Sequence, residues 1–292
     1  MFQALRPEYL ELIYRSRFLS ARTGSAMAEH QPMRDPNTPS ITEVNSPEPQ
    51  TLNLNEIGQR YLAACQRGFD IAACLAVGAG TSSQEKYDEL VKSVRCRPSE
   101  QFHRGFAEAH AETKTYLLKT VIGEALGLIV PFLEDIRTFC AVAGWRYGSA
   151  QEQTRLRSIL TEERTEFLSK SMVSKIESLS KEFGVSTPLA GSIFALTKAG
   201  ICLGARGGVV SEEDFTYEGE LAFSLVSLEI PDGANAEPAA NPIELRRRFA
   251  VGEKVQLDDS DYLHIVSTVA MFITSTLHSV KRVLKEKFPH AA

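Results

Sequence analysis

Residues 196–210 read LTKAGICLGARGGVV, an apolar helical run that ends in a glycine-rich turn with one arginine, Arg206. The P-loop pattern G-x-x-x-x-G-K-[ST] and the dinucleotide pattern G-x-G-x-x-G are both missing, and the glycines follow a helix instead of leading into one. The local pattern therefore predicts a helix terminator and turn. If this turn takes part in binding, the residues that would do so are Arg206, Gly207 and Gly208.

Apolar side chains recur at three- and four-residue steps through most of the chain after residue 51, as in amphipathic helices. The predicted helices cover about 52–77, 83–94, 100–143, 150–183 and 187–203, with a final helix that follows 258–261. The third is long enough that Gly123, Gly127 or Pro131 is expected to kink or divide it.

Two short segments, 221–230 and 254–257, have the composition of strands and lie on either side of a loop at 231–242. The predicted fold is therefore mainly α, a helical bundle with a small β-strand insertion before the last helix. We divide the chain into an N-terminal segment at 1–50, a helical region at 51–148, and a second helical region at 149–292 with the insertion at about 221–257.

Pro, Asn, Ser and Glu are frequent in residues 28–50, so the N-terminal segment is expected to be disordered or extended. Residues 1–26 contain four arginines but no continuous apolar core, which does not fit a secretory signal. Met27 is an alternative start of the protein.

The chain has 292 residues, 43% of them hydrophobic and 24% charged, with a net charge of −5. That balance is typical of a soluble globular protein and provides no overall positive field to attract nucleic acid or an anionic membrane. Any contact with RNA would therefore be local. The longest apolar run, Ala125–Phe132, is far short of the roughly 18–20 residues that cross a bilayer, so no transmembrane helix and no membrane partner are predicted.

The five cysteines are odd in number and form no C-x-x-C pair, which argues against both a disulfide framework and a zinc site. No other pattern indicates a metal or a cofactor, so neither is predicted. The expected location is a reducing cytoplasm.

The order of elements around the opening stretch resembles that of uncharacterised members of the HEPN superfamily. In those proteins the corresponding helix reads along the lines of K-A-R-N-C-L-V-H-R-G-G-V-V, and residues 198–210 here read KAGICLGARGGVV. The resemblance covers mainly residues 150–288, and it implies a helical bundle that forms a homodimer.

The chain departs from that motif at the residues that matter for catalysis. In active HEPN ribonucleases the Arg and the His of the motif are paired across the dimer and serve RNA cleavage without a metal. Gly200 and Ala205 occupy those positions here, Ile201 replaces the polar neighbour, and only Arg206 remains beside the site. The resemblance therefore implies an inactive HEPN-like protein that acts by binding, as a regulatory, adaptor, defence or stress component.

Two alternatives remain open. Arg104 and His110 fit the loose Arg-to-His spacing of the superfamily, so the chain could be an atypical metal-independent ribonuclease that uses this pair or residues from a partner. The chain could also be a helical scaffold unrelated to HEPN proteins.

The triplet Arg246, Arg247 and Arg248 is the one local basic patch that could meet phosphate, and it is predicted to lie in a loop. The simpler interpretation is exposed charge.

Overall fold

The structure, a computed structural model, describes residues 53–93, 105–147, 164–227 and 243–287, together with the helical positions 151 and 155. The predicted N-terminal segment and the loop at 231–242 lie outside these residues. The described chain forms helices and a two-stranded sheet in this order: α1 (Leu54–Gly80), α2 (Gln84–Ser93), α3 (Phe106–Gly127), α4 (Ile129–Tyr147), α5 (Arg164–Ser169), α6 (Met172–Phe183), α7 (Ala190–Arg206), a 3-10 turn (Glu212–Asp214), β1 (Leu221–Ser227), β2 (Ile243–Phe249) and α8 (Asp259–Lys287). The predicted fold class, mainly α with a small β insertion before the last helix, is confirmed.

Helix α8 lies at the centre of the fold and contacts α1, α3, α4, α7 and β1. Its apolar stripe is fully buried at positions such as Ile265, Phe272 and Val280. Asp259 and Asp261 lie in its first turn, and Lys285 and Lys287 lie in its last. These charges interact favourably with the helix dipole at both ends and stabilise the helix.

The long predicted helix at 100–143 is divided, as expected, near Gly127. Helix α3 ends at Gly127 and α4 begins at Ile129, with Pro131 in the first turn of α4, where its missing N–H leaves no helical hydrogen bond unmade. Residues just after the break are almost completely buried and form part of the core: Ile129, Phe132, Leu133 and Ile136.

The helix predicted at 150–183 is interrupted in its described part. Helix α6 begins after Ser171, whose hydroxyl accepts a hydrogen bond from the N–H of Ser174 at 3.2 Å. The buried ammonium of Lys175 donates to the carbonyl of Leu168 at 2.8 Å, so it satisfies the end of α5. Gly184 ends α6 in the left-handed conformation, directly after the predicted end of the helix at residue 183.

The sheet contains the first predicted strand but not the second. Strands β1 and β2 are antiparallel, with Leu221 opposite Phe249 and Ser227 opposite Ile243. The prediction of a strand at 254–257 was wrong: there, Lys254 only makes an isolated bridge with Val209. The sheet packs on α7 and α8 through β1, whose core-facing residues are Leu221, Phe223 and Leu225.

By length and composition alone, three helical stretches of the described chain could cross a membrane: Leu54–Gly80, Phe106–Gly144 and Asp259–Lys287. None of the three contains a long unbroken apolar run, because polar residues interrupt each one, so the sequence prediction of no transmembrane helix missed them. In the second and third stretches, about half of the most apolar 18-residue segment is buried within the protein (50% and 56%). In the first stretch only 17% of that segment is buried. Helix α1 therefore carries apolar surface that the described chain leaves uncovered, at Ile71, Leu75 and Val77.

Candidate functional site

The glycine turn after α7 is a helix terminator, as the sequence predicted. Gly207 and Gly208 both have a positive φ, 61° and 88°, a conformation that favours glycine. The N–H of Gly208 donates to the carbonyl of Cys202 at 3.2 Å and closes the last turn of the helix. A Cβ at Gly208 would lie 3.1 Å from Leu203 Cδ2, so the turn also packs closely on its own helix.

Arg206 is engaged by the turn that follows it. Its guanidinium forms an ion pair with Asp214, whose side chain is 1% exposed, and a longer one of 3.5 Å with the exposed carboxylate of Glu213. Asp214 also accepts hydrogen bonds from the N–H and the hydroxyl of Ser211, at 2.9 and 3.2 Å. The predicted binding residue Arg206 is therefore part of a structural network that holds the 3-10 turn against α7.

The thiol of Cys202 lies beneath this network and is fully buried. Its Sγ donates to the carbonyl of Val209 at 3.4 Å. Burial raises the pKa of Cys202 to about 11, and the carboxylate of Asp214 acts in the same direction. A thiol that stays protonated and inaccessible at neutral pH is not a nucleophile.

The two positions where the resemblance places reactive residues have different surroundings. A Cβ at Gly200 would lie 3.1 Å from Ile122 Cγ2, so this position faces α3 of the same chain. Gly200 therefore allows α7 to approach α3 closely within one chain. Ala205 is exposed to solvent.

An apolar stripe runs along the exposed side of α7, and we refer to Phe194, Ile201 and Ala205 as the α7 stripe. Phe194 is 37% exposed and Ile201 is 53% exposed. The three residues are seven and four positions apart, which places them on one side of a helix with 3.6 residues per turn. Lys198 lies between Phe194 and Ile201 on the same side of the helix, and its ammonium donates to the carbonyl of Glu213 at 2.6 Å. The stripe is mainly apolar; it includes Ala205 and adjoins Gly200, the two positions where the resemblance places reactive residues.

The arginine triplet lies in strand β2 and not in a loop, so that prediction was wrong. Alternation along the strand divides the three side chains between the two faces of the sheet. Arg247 faces inward and makes a bidentate pair with the buried Asp261, at 2.8 and 3.0 Å. This hydrogen bonding raises the pKa of Arg247 above its ordinary value.

Arg246 and Arg248 are exposed on the other face, over the ring of Tyr217. Their guanidinium carbons lie 4.8 and 5.9 Å from the centre of that ring. Arg248 also pairs with Glu220 at 3.6 Å. Two of the three arginines in the triplet therefore remain accessible to a partner.

His110 of the proposed Arg104–His110 pair takes part in helix packing. Its Nε2 lies 3.0 Å from the carbonyl oxygen of Ala79 at the end of α1, and its ring lies 5.5 Å from that of Phe106. Arg104 lies outside the described residues. The residues that the structure describes contain no group of three or more His, Cys, Asp or Glu side chains that could hold a metal ion.

Sequence reasoning missed Asp214 and Tyr217. The spacing of Ser211 and Asp214 is that of a capping box, in which each residue caps the other, and this signal could have identified the carboxylate. No local pattern indicates Tyr217, because its role depends on arginines that follow it by about thirty positions in the sequence.

Comparisons with protein-family models, curated proteins and solved structures found no protein similar to this chain.

Proposed function

We propose that this protein acts by binding and not by catalysis, as a HEPN-like homodimer that joins its subunits through the α7 stripe and serves a regulatory or adaptor role. The observation that carries the proposal is the exposure of Phe194 and Ile201 beside Gly200 and Ala205, which offer no reactive side chain where the resemblance places one.

The chemistry of the motif argues against phosphodiester cleavage at α7. That reaction needs a cation, such as a guanidinium, to stabilise phosphate charge and a group that transfers a proton. Gly200 and Ala205 supply neither, and Arg206 is paired with Asp214 and Glu213. What remains at this surface is apolar area, which favours association.

The shape of the stripe suits a twofold contact, in which one patch meets the same patch of a second copy. If two α7 helices cross antiparallel, the bulky Phe194 of one copy lies near the small Gly204 and Ala205 of the other. Large side chains opposite small ones allow helices to approach closely. The packing of α7 against α8 supports the HEPN-like interpretation over an unrelated helical scaffold.

The test is the mass of the purified full chain in solution, by light scattering after gel filtration at several concentrations. We expect a dimer for the wild type and a monomer for Ile201→Lys, because in the crossing described above the new ammonium lies near Lys198 of the other copy and repels it. Val251→Lys is the matched control, since Val251 is 54% exposed against 53% for Ile201 but lies in the turn after β2. A wild-type protein that is monomeric at all concentrations would refute the homodimer.

Catalysis is tested on the same preparations with single-stranded RNA and no added metal. We expect no cleavage. The ribonuclease alternative would be established if His110→Ala abolished cleavage. A control variant that keeps His110 and is as stable as His110→Ala would have to retain it.

A further inference from the structure

Strand β1 shows which way the main chain of the sheet points. The N–H of Val226 donates to the hydroxyl of Thr268 on α8 at 2.8 Å. The N–H of Ala222 donates to the hydroxyl of Thr216 at 2.8 Å, and the carbonyl of Ala222 accepts from the same hydroxyl at 2.5 Å. The main-chain groups at these two positions therefore point away from β2.

This orientation fixes that of β2. Ala222 is opposite Arg248, and Val226 is opposite Glu244. In an antiparallel ladder the N–H and C=O groups of two paired residues either all point toward the other strand or all point away from it. The two arrangements alternate along the strand. The N–H and C=O groups of Glu244, Arg246 and Arg248 thus point to the outer side of β2, which we call the free edge.

In the described chain the free edge has no strand beside it. Among the described residues the sheet has two strands, and no main-chain hydrogen bond outside the ladder joins residues 243–249 to another described residue. The described part of the chain therefore leaves three N–H groups and three C=O groups of this edge open to an extended chain. Unpaired edges of this kind are templates for the addition of a strand.

The side chains at the free edge specify the charge of that chain. Arg246 and Arg248 lie two residues apart on the exposed face, where Tyr217 supports both of them. A third strand would present alternate side chains on this same face, directly opposite the arginines. Carboxylates at alternate positions would match the two guanidinium groups.

We propose that the free edge of β2 binds an extended acidic segment of a partner protein, which adds as a third antiparallel strand and places carboxylates opposite Arg246 and Arg248. A second copy of β2 fits less well, because pairing Glu244 with Arg248 of that copy sets Arg246 against its own counterpart. Nucleic acid would use the arginines but not the main-chain groups. This inference goes beyond the dimer at α7 and does not depend on it.

The experiment uses the full chain and a fluorescein-labelled eight-residue peptide in which Glu alternates with Val, measured by fluorescence anisotropy. We expect saturable binding, and a Kd that rises about tenfold or more in the double variant Arg246→Glu/Arg248→Glu. The control is Lys281→Glu/Arg282→Glu, which makes the same change in charge at exposed positions on α8 and should leave the Kd unchanged.

Two N-methylated peptides separate strand addition from simple charge attraction. Methyl groups on the amides that face β2 should abolish binding, whereas methyl groups on the alternate amides should not. The proposal is overturned if the acidic peptide does not saturate at millimolar concentration or if both methylated peptides bind equally. It is also overturned if an oligouridylate binds through the two arginines while the peptide does not. A double variant that remains dimeric by light scattering keeps this result separate from the test of the α7 stripe.

Discussion

Arg206 at the end of α7 forms an ion pair with Asp214, a carboxylate that is 1% exposed and that caps the turn after the helix. The pair joins two successive elements at the position where the resemblance would place catalytic residues. Its role is therefore testable as a contribution to stability.

We predict that Asp214→Ala lowers the free energy of unfolding by about 3 kcal/mol, since it leaves the guanidinium of Arg206 without its buried partner and the turn without its cap. Urea unfolding followed by far-UV circular dichroism measures the change. Glu213→Ala is the control: its side chain is 84% exposed, so the loss should be below about 0.5 kcal/mol. Equal losses in the two variants would contradict the structural role of the buried pair.

The two glycines inside α7 should respond differently to alanine. Gly204→Ala should stabilise the protein by about 0.5–1 kcal/mol, because alanine is the better helix former and the nearest atom to the new Cβ is Lys119 Cε, at 4.0 Å. Gly200→Ala should gain less or lose stability, because its Cβ would lie 3.1 Å from Ile122 Cγ2. Thermal unfolding of both variants checks the order. A larger gain at Gly200 would show that α3 and α7 are not in close contact there.

Local patterns were sufficient to predict most of the helices and their ends. The break after Gly127, the cap at Gly184 and the turn at Gly207 are determined by glycine or proline within a few residues, and these signals are present in the sequence. The central helix α8 was also predicted from a local pattern, because its apolar residues recur at helical spacing for many turns.

Features that depend on distant contacts were not predictable in this way. Strand β2 was missed because three consecutive arginines obscure its alternation, and only Asp261 shows that Arg247 faces inward. The surroundings of Gly200 depend on Ile122, which is 78 positions earlier in the chain. Periodicity can assign a residue to a face of a helix, but it cannot say which element covers that face.

The buried thiols should make the protein less stable in alkali. Burial raises the pKa of Cys65 to about 11 and that of Cys140 to about 12, from 9.0 in an exposed thiol. Well below pH 9 both states of the protein keep these protons, so the thiols have no effect. As pH approaches and passes 9 the unfolded chain releases protons that the folded chain retains, and stability falls.

Each buried thiol should therefore lower the free energy of unfolding by about 1.4 kcal/mol per pH unit. This holds between the pKa of the thiol in the unfolded chain and its pKa in the folded protein. We predict that Cys140→Ala lowers the free energy of unfolding at pH 8, because it leaves a small cavity. Between pH 9.5 and 10.5 the free energy of unfolding should fall less steeply in this variant, by the slope of about one proton. Urea unfolding at several pH values measures this slope. The exposed Cys74 provides the control, since Cys74→Ala should leave the slope unchanged.

The contact between α1 and α4 should depend more on Tyr61 than on Arg60. Both donate to the carboxylate of Asp135, which is 7% exposed, at 2.7 Å from the phenol and 2.5 Å from the guanidinium. Arg60 is 56% exposed, so Arg60→Ala should cost no more than about 1 kcal/mol. Tyr61→Phe keeps the edge-on contact with the ring of Phe132 but removes a buried hydrogen bond to a charged group.

That loss should be about 1.5–3 kcal/mol, because the carboxylate of Asp135 stays buried with fewer donors and water has little access to replace the phenol. Urea unfolding of the two single variants and of the double variant measures both costs and their coupling. The two groups share one oxygen atom, so the double variant should differ from the sum of the single ones. Strict additivity, or a larger cost for Arg60→Ala, would show that Tyr61 does not donate to Asp135 in solution.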